Sequence, residues 1–216
     1  MAAGMMGAYT YNLRGGVFCN AQTANVVLMA MAFGKGEWQR GVYYLIPISA
    51  YILGAVISEL LPTKVRRIRL LRWDTYLIGF EMIVLFLIGL IPLSCPVQIV
   101  QVMINFVCSM QYNTFRQAEG IPMATTFVTN HVRQTGIWLA KAWHAHDRQS
   151  LIRAGKHLRM LASFFLGGFL LTLLCNVCQE KVIWLALLPL GISFLVMFRA
   201  DRGSEQDQLD QKPHGH

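Results

Sequence analysis

Several uninterrupted apolar runs in this chain approach the roughly 20 residues that an α-helix needs to cross a bilayer. They occupy residues 42–61, 74–94, 164–177 with a few preceding residues, and 182–198. A soluble domain of 216 residues would divide its apolar residues into short periodic stretches facing one core. The runs therefore point to an integral membrane protein. Composition agrees, at 55% hydrophobic and 14% charged against about 25% charged in an ordinary soluble domain. Neither a disordered chain nor a soluble enzyme is expected.

A fifth run, residues 96–115, is more polar. Gln98, Gln101, Asn105, Ser109 and Tyr112 recur along it at spacings of 3, 4, 4 and 3, which places all five on one helical face. Lipid would leave those amides unsatisfied, so the face must meet protein or water. Two readings stand: side chains that join helices by hydrogen bonds, or the lining of a path for neutral, hydrogen-bonding solutes. Two shorter segments each follow a break: residues 20–33 after Gly15-Gly16, and residues 125–143 after Gly120-Ile121-Pro122. A dozen helical residues span only about 18 Å, about half of the hydrocarbon core. Both segments are expected to be half-helices.

Charge placement tests this topology. The formal charge of +8 could suggest nucleic acid in a soluble protein. Here the cations are concentrated between apolar runs, so no nucleic-acid partner is expected and charge reports orientation. Residues 63–73 carry Lys64, Arg66, Arg67, Arg69 and Arg72, and residues 141–159 carry Lys141, Arg148, Arg153, Lys156 and Arg159. Both stretches, with Arg199 and Arg202, fall on the cytoplasmic side if residues 125–143 enter and return. The alternative is a plain seven-span protein with one loop against the rule. The N-terminus has no basic region followed by an apolar core and cleavage site, so no removable signal is expected.

An internal echo supports the half-helix reading. Tyr11-Asn12, a glycine break and Gln22-Thr23-Ala24-Asn25 correspond to Tyr112-Asn113, a Gly-Pro break and Val128-Thr129-Asn130-His131. Lys35 then matches Lys141, and Leu53-Gly54 matches Leu166-Gly167. Three crossings per copy would make the copies inverted, an arrangement shared by many transporters. The expected fold class is an all-α polytopic membrane protein of about six transmembrane helices plus two half-helices. It forms one membrane domain over residues 1–200, with repeats at about 1–94 and 96–199. A polar, disordered cytoplasmic tail is expected over residues 201–216, carrying Asp201, Glu205, Asp207 and Asp210.

Particular residues carry the resemblance to a known family. They are Ala8-Tyr9-Thr10-Tyr11, the run Arg14-Gly15-Gly16-Val17-Phe18 leading into Asn20-Ala21-Gln22-Thr23-Ala24-Asn25, and Gln111 to Phe115 followed by Gly120-Ile121-Pro122 and Ala124-Thr125-Thr126. Over nearly its whole length the chain resembles the YoaK family of bacterial multi-span membrane proteins. That implies a multi-pass protein of the bacterial cytoplasmic membrane. The chain departs from the family pattern where Thr-Gly-Asn is usual: it has Thr23-Ala24-Asn25 and Thr129-Asn130-His131, with Gly7 at a position that is often acidic. Its first span, of about 13 residues, is one or two turns short.

The candidate solute-binding or pore-lining residues are Gln22, Thr23, Asn25, Glu81, Gln101, Asn105, Asn113, Thr129 and His131. Gln22, Thr23 and Asn25 open a half-helix, where they either cap backbone N–H groups or present a positive helix end to a solute, with Thr129 and His131 as counterparts. Glu81 is an intramembrane acid and a functional candidate by default. Glu59, beside Lys64 and Arg66, reads as an interfacial ion pair. His144-Ala145-His146-Asp147 with His157 lacks the spacing of a metal site and reads as a solvated loop. Cys175 and Cys178 read as packing cysteines, with a Cys95–Cys178 bridge as a minor option. No nucleotide loop or hydrolase motif is present, and neither an enzyme, a metal nor a cofactor is expected. The resulting expectation is a small-solute transporter or channel-like protein with a lipid bilayer, a small polar solute and a second copy as partners. The alternative is a non-transporting membrane scaffold. Its amides and its glycines Gly54, Gly167 and Gly168 pack helices.

Overall fold

The structure is a computed structural model and describes residues 1–65, 70–115, 117–118, 121–122 and 128–203. Among these it is all-helical apart from a two-residue antiparallel ladder that sets Gln117 opposite Pro122 and Ala118 opposite Ile121. The helices are α1 Ala2–Leu13, α2 Gln22–Gly34, α3 Trp38–Tyr43, α4 Leu45–Val65, α5 Trp73–Ile88, α6 Val97–Thr114, α7 Val128–Ala145, α8 Arg148–Cys178 and α9 Leu187–Arg202, with a 3₁₀ stretch Gln179–Ala186 before α9. Two helical stretches, Trp38–Pro62 and Arg148–Arg202, are long and apolar enough to cross a membrane by length and composition.

Two helix pairs run parallel, and glycine makes both close. On α4, Gly54 lies against the Phe106 carbonyl of α6, while Asn113 Nδ2 donates to Ser58 Oγ at 2.8 Å and to Glu59 Oε2 at 3.2 Å. On α8, Gly167 lies against the Met1 carbonyl and Phe164 faces Gly4 of α1, while Asn12 Nδ2 donates to Thr172 Oγ1 at 3.2 Å. A Cβ at Gly54 or Gly167 would run into backbone, the general reason small residues let helices approach where burial of apolar surface gives no preference. Asn12 and Asn113, and the two glycines, are the pairs matched by the sequence echo.

α5 and α9 are antiparallel. Trp184 Nε1 donates to the Phe86 carbonyl at 3.0 Å, with the two rings stacked 5.4 Å apart. At the opposite end of α5, Asp201 accepts from Arg72 Nε at 2.5 Å, Arg72 N at 3.0 Å and Thr75 Oγ1 at 2.6 Å. Asp201 is thus a buried residue within α9 and not the start of a polar tail. Its carboxylate closes the first turn of α5, where exposed N–H groups and the helix dipole favour an anion. Residues 204–216 lie outside the described residues.

These pairings give the bundle two ends, the first near Met1, Trp73, Thr114 and Asp201, the second near Arg14, Tyr43 and Pro96. After α1 reaches the second end the chain turns back through Gly15 and Gly16, with φ of +86° and +69°. Cys19 N then donates to Thr10 Oγ1 and Asn20 Nδ2 to the Ala3 carbonyl, so this segment runs back alongside α1. α2 starts there, beside the middle of α6, and returns to the second end to pack on α3. α7 starts beside Phe164 and Gly168, across an apolar groove of about 650 Å³ from Gly4 and Asn20, and runs antiparallel to α8.

Several expected boundaries shift. The helix expected over 74–94 ends at Ile88, where Gly89 and the Pro92–Pro96 turn interrupt it. The span expected from 164 belongs to a 31-residue helix starting at Arg148, because no breaker separates the basic stretch from the apolar one. Residues 125–127 of the expected second half-helix, and Arg66, Arg67 and Arg69, lie outside the described residues.

Candidate functional site

α6 carries a polar column through the apolar core. Gln101 and Asn105 are fully buried and Ser109 nearly so, beside the buried apolar Val100, Ile104 and Val107. At the second end Gln101 Nε2 donates to the Arg14 carbonyl at 2.6 Å. Asn105 Nδ2 donates back to the Gln101 carbonyl at 2.8 Å, and Asn105 Oδ1 accepts from Gln22 Nε2 at 2.9 Å. Gln22 Oε1 accepts in turn from Asn25 Nδ2 at 3.0 Å, and Asn25 also bridges the Phe18 backbone through 2.7 Å and 3.2 Å bonds. The chain of amides therefore runs from α6 into the start of α2.

Further along α6, Gln111 Nε2 donates to Glu81 Oε2 of α5 at 3.1 Å. Glu81 is fully buried. Ser109 Oγ, Gln111 Oε1 and Glu81 Oε1 are buried with no hydrogen-bond partner, and each such group costs about 1–3 kcal/mol of desolvation. These unsatisfied acceptors stand on different sides of α6, Ser109 toward Gly54 of α4 and Gln111 toward Glu81 of α5.

Arg14 at the second end is the largest fully buried side chain. Its guanidinium donates to Tyr9 Oη at 3.0 Å, the Pro92 carbonyl at 3.2 Å and the Ile91 carbonyl at 2.6 Å. Backbone carbonyls of the turn after α5, with the Tyr9 hydroxyl, hold this charge in place of a carboxylate.

Of the expected site residues, the structure joins Gln22, Asn25, Gln101 and Asn105 in one network and places Glu81 beside Gln111. Asn113 belongs to the α4–α6 seam, where it also engages Glu59; the side chains of Lys64 and Arg66, expected to pair with Glu59, are outside the description. Thr23 is exposed and caps nothing: the residue before α2 is Ala21, and no side chain caps the helix. Thr129 is likewise exposed. Both sit on the outer side of their first turns, and the fourth residue of each helix, Asn25 or His131, turns inward instead. Gln98 and Tyr112 are half-buried.

His131 does not reach the column. Its Nδ1 lies 3.0 Å from Nδ1 of His157, both rings buried between α7 and α8. His157 is therefore not in a solvated loop. Burial, and then the neighbouring His131, hold its pKa below the ordinary histidine range. Asp147 caps α8, accepting from Gln149 N at 2.9 Å and Ser150 N at 3.0 Å; these bonds, led by that from the Ser150 hydroxyl, hold its carboxyl below the usual range. His144 and His146 are exposed. All five cysteines are free, so Cys95 and Cys178 form no bridge.

Gln111 and Arg14 are not among the expected site residues. Gln111 lies six positions past Asn105, a rotation of about 240° that takes it off the expected stripe. The available signal was its polarity inside an apolar run. For Arg14 it was a lone cation just before two glycines in a segment otherwise free of charge.

The family described as "Protein of unknown function (DUF1275)" matches residues 1–196. The chain belongs to the DUF1275 family. That agrees with the resemblance to YoaK-type proteins, and the DUF1275 match covers every residue of the column and both segments that follow glycine breaks. No curated protein and no solved structure matches the chain.

Proposed function

We propose that this DUF1275 protein crosses the bilayer six times, with α2 a half-helix re-entering from one side and α7 its counterpart at the opposite boundary, and passes a small polar solute along the α6 column. Three features support the inverted arrangement. α1 pairs with α8 as α6 pairs with α4; Asn12 and Asn113 make corresponding bonds; and the two hairpins α2–α3 and α7–α8 lie toward opposite ends. On this reading the membrane-crossing part of α8 begins near Phe164.

The observation that carries the solute reading is the set of buried, unpartnered oxygens held in the apolar core, Gln101 Oε1, Ser109 Oγ, Gln111 Oε1 and Glu81 Oε1, with Gln101 belonging to the amides that lead into the start of α2. Acceptors held in an apolar interior favour a solute that donates hydrogen bonds, and a neutral one over a bare ion. The first residue to test is Asn105. In a background with the native cysteines replaced by alanine, Asn105→Cys is expected to react with a membrane-impermeant thiol reagent from one side. Asn25→Leu should leave the protein folded and slow that reaction.

A second reading has its own support: Gln22, Asn25 and Asn105 bond one another and the backbone nearby, as amides do when they only join helices. This scaffold would keep the column dry, and Asn105→Cys would then stay unlabelled in folded protein.

A further inference from the structure

We propose that Glu81 and Gln111 form a proton-binding site at the α5–α6 contact, holding one exchangeable proton in an acid–amide pair. As a proton site it stands apart from the preceding reading; as the means of coupling proton to solute it rests on that reading.

Glu81 is fully buried on a helix whose other buried residues near it, Leu77, Ile78, Val84 and Leu85, are apolar. No lysine or arginine forms a salt bridge with it among the described residues, and the elements packed on α5 bring no cation to it. From α6 come Gln111 and the Cys108 thiol, near enough to feel the Glu81 charge. On α9 the charged residues Arg199, Asp201 and Arg202 lie at the first end, where Asp201 is engaged with Arg72 and Thr75 and both arginines are exposed. The 3₁₀ stretch bears Glu180 and Lys181 ahead of Trp184, which itself meets α5 beyond Glu81, at Phe86. On α5, Asp74 stands seven residues back, about 10 Å along the axis. An ionised carboxyl so placed has neither water nor a counter-charge and is strongly disfavoured.

The hydrogen bonds place the proton. Gln111 Nε2 donates to Glu81 Oε2 at 3.1 Å, which leaves Oε1 of each group buried with no partner. Both orphans are acceptors, so a carboxylate and an amide cannot satisfy one another here. One proton removes the mismatch. An O–H bond formed at Glu81 Oε1 turns an orphan acceptor into a donor for Gln111 Oε1, and a carboxylic acid and a primary amide then bond in both directions. A metal ion answers less well, since a hard cation collects about six oxygens and the pair offers two. Release breaks the O–H bond and passes the proton to water in the column. It also frees both oxygens to accept from a solute, so the proton and a hydrogen-bond-donating solute compete for the same two atoms.

The test is infrared absorption of the full chain in detergent at neutral pH, where an ordinary glutamate is ionised. The carbonyl stretch of a protonated carboxylic acid is expected. It should move to lower wavenumber in heavy water, and again in protein grown on isotopically labelled glutamate. The band should be lost in Glu81→Gln, whose amide keeps the pairing with Gln111, and should move to higher wavenumber in Gln111→Leu, where the carbonyl has lost its donor. If Glu81→Gln misfolds, labelling of the native chain decides, because Glu81 is the one buried glutamate among the described residues. Absence of the band in the native protein, a band that ignores heavy water or the label, or one that persists in folded Glu81→Gln would each overturn the proposal. So would a band unmoved in folded Gln111→Leu, or one abolished by added sodium, which would assign a metal cation to the site instead. The band and the Asn105→Cys reaction are separate readouts. A band with Asn105→Cys unlabelled would leave the proton site standing in a dry scaffold; labelling without the band would leave the solute path and remove the proton from it.

Discussion

Arg14 shows how a single buried charge can be tolerated without an acid. Its three hydrogen bonds tie the end of α1 to Tyr9 and to the Ile91 and Pro92 carbonyls in the turn after α5. Arg14→Met would fill similar space but strand those acceptors, and a loss of about 1–3 kcal/mol is expected from leaving buried acceptors unsatisfied, read as a lower melting midpoint in detergent. One position on, Gly15 combines a positive φ with a close neighbour: an added Cβ would stand 2.9 Å from Gln101 Nε2. Gly15→Ala should cost about 1–3 kcal/mol. Gly16 has a similar φ of +69° and open space around it, so Gly16→Ala should cost less than Gly15→Ala. A larger loss at Gly16 than at Gly15 would show that the Gln101 contact is not what matters.

At the scale of elements, the α7–α8 hairpin depends on a histidine that resists protonation. With the His157 pKa held low in the folded state, the unfolded chain takes up its proton first as pH falls below about 6.5. Stability is therefore full above that value, declines as pH falls toward the lowered folded value, and levels off beneath it. Hydrogen exchange along α7 should speed up from about pH 7 to about pH 5 after correction for intrinsic rates. His157→Gln should flatten that dependence; an equally steep dependence in the variant would assign the effect elsewhere. The elements themselves were largely legible in the sequence. Expected residues 96–115 became Val97–Thr114 and residues 20–33 became Gln22–Gly34, because proline and glycine mark their limits. The site was less so. Helical spacing selected Gln101, Asn105 and Ser109 correctly, but proximity to a break also selected Thr23 and Thr129, whose direction depends on how the half-helix is rotated. No periodicity within one helix could reveal that Gln111 meets Glu81 or that His131 meets His157, since each contact joins different helices.

For the whole molecule, the paired seams make a quantitative demand. Gly54 and Gly167 occupy matching places in the α4–α6 and α1–α8 contacts, so Gly54→Ala and Gly167→Ala should each destabilise by about 1–3 kcal/mol through displaced backbone. If only one is costly, the two seams are not equivalent and the inverted repeat loses its main energetic signature. Topology gives a second check: a compartment-sensitive reporter fused after Gln149 should report the same side as one fused at the C-terminus. Opposite sides would make α7 a full crossing and dissolve the pair of half-helices.

The crossed pairing of α1 with α8 and of α6 with α4 also sets an order of events during synthesis. α1 leaves the ribosome before the other described helices, yet α8, which it packs against, begins more than 130 residues behind it. Through most of translation its Gly4 has no helix to pack on, because Phe164 and Gly168 are still to be made. Each half completes the other, so neither is a finished structure when it emerges. An element made early is among the last to be secured.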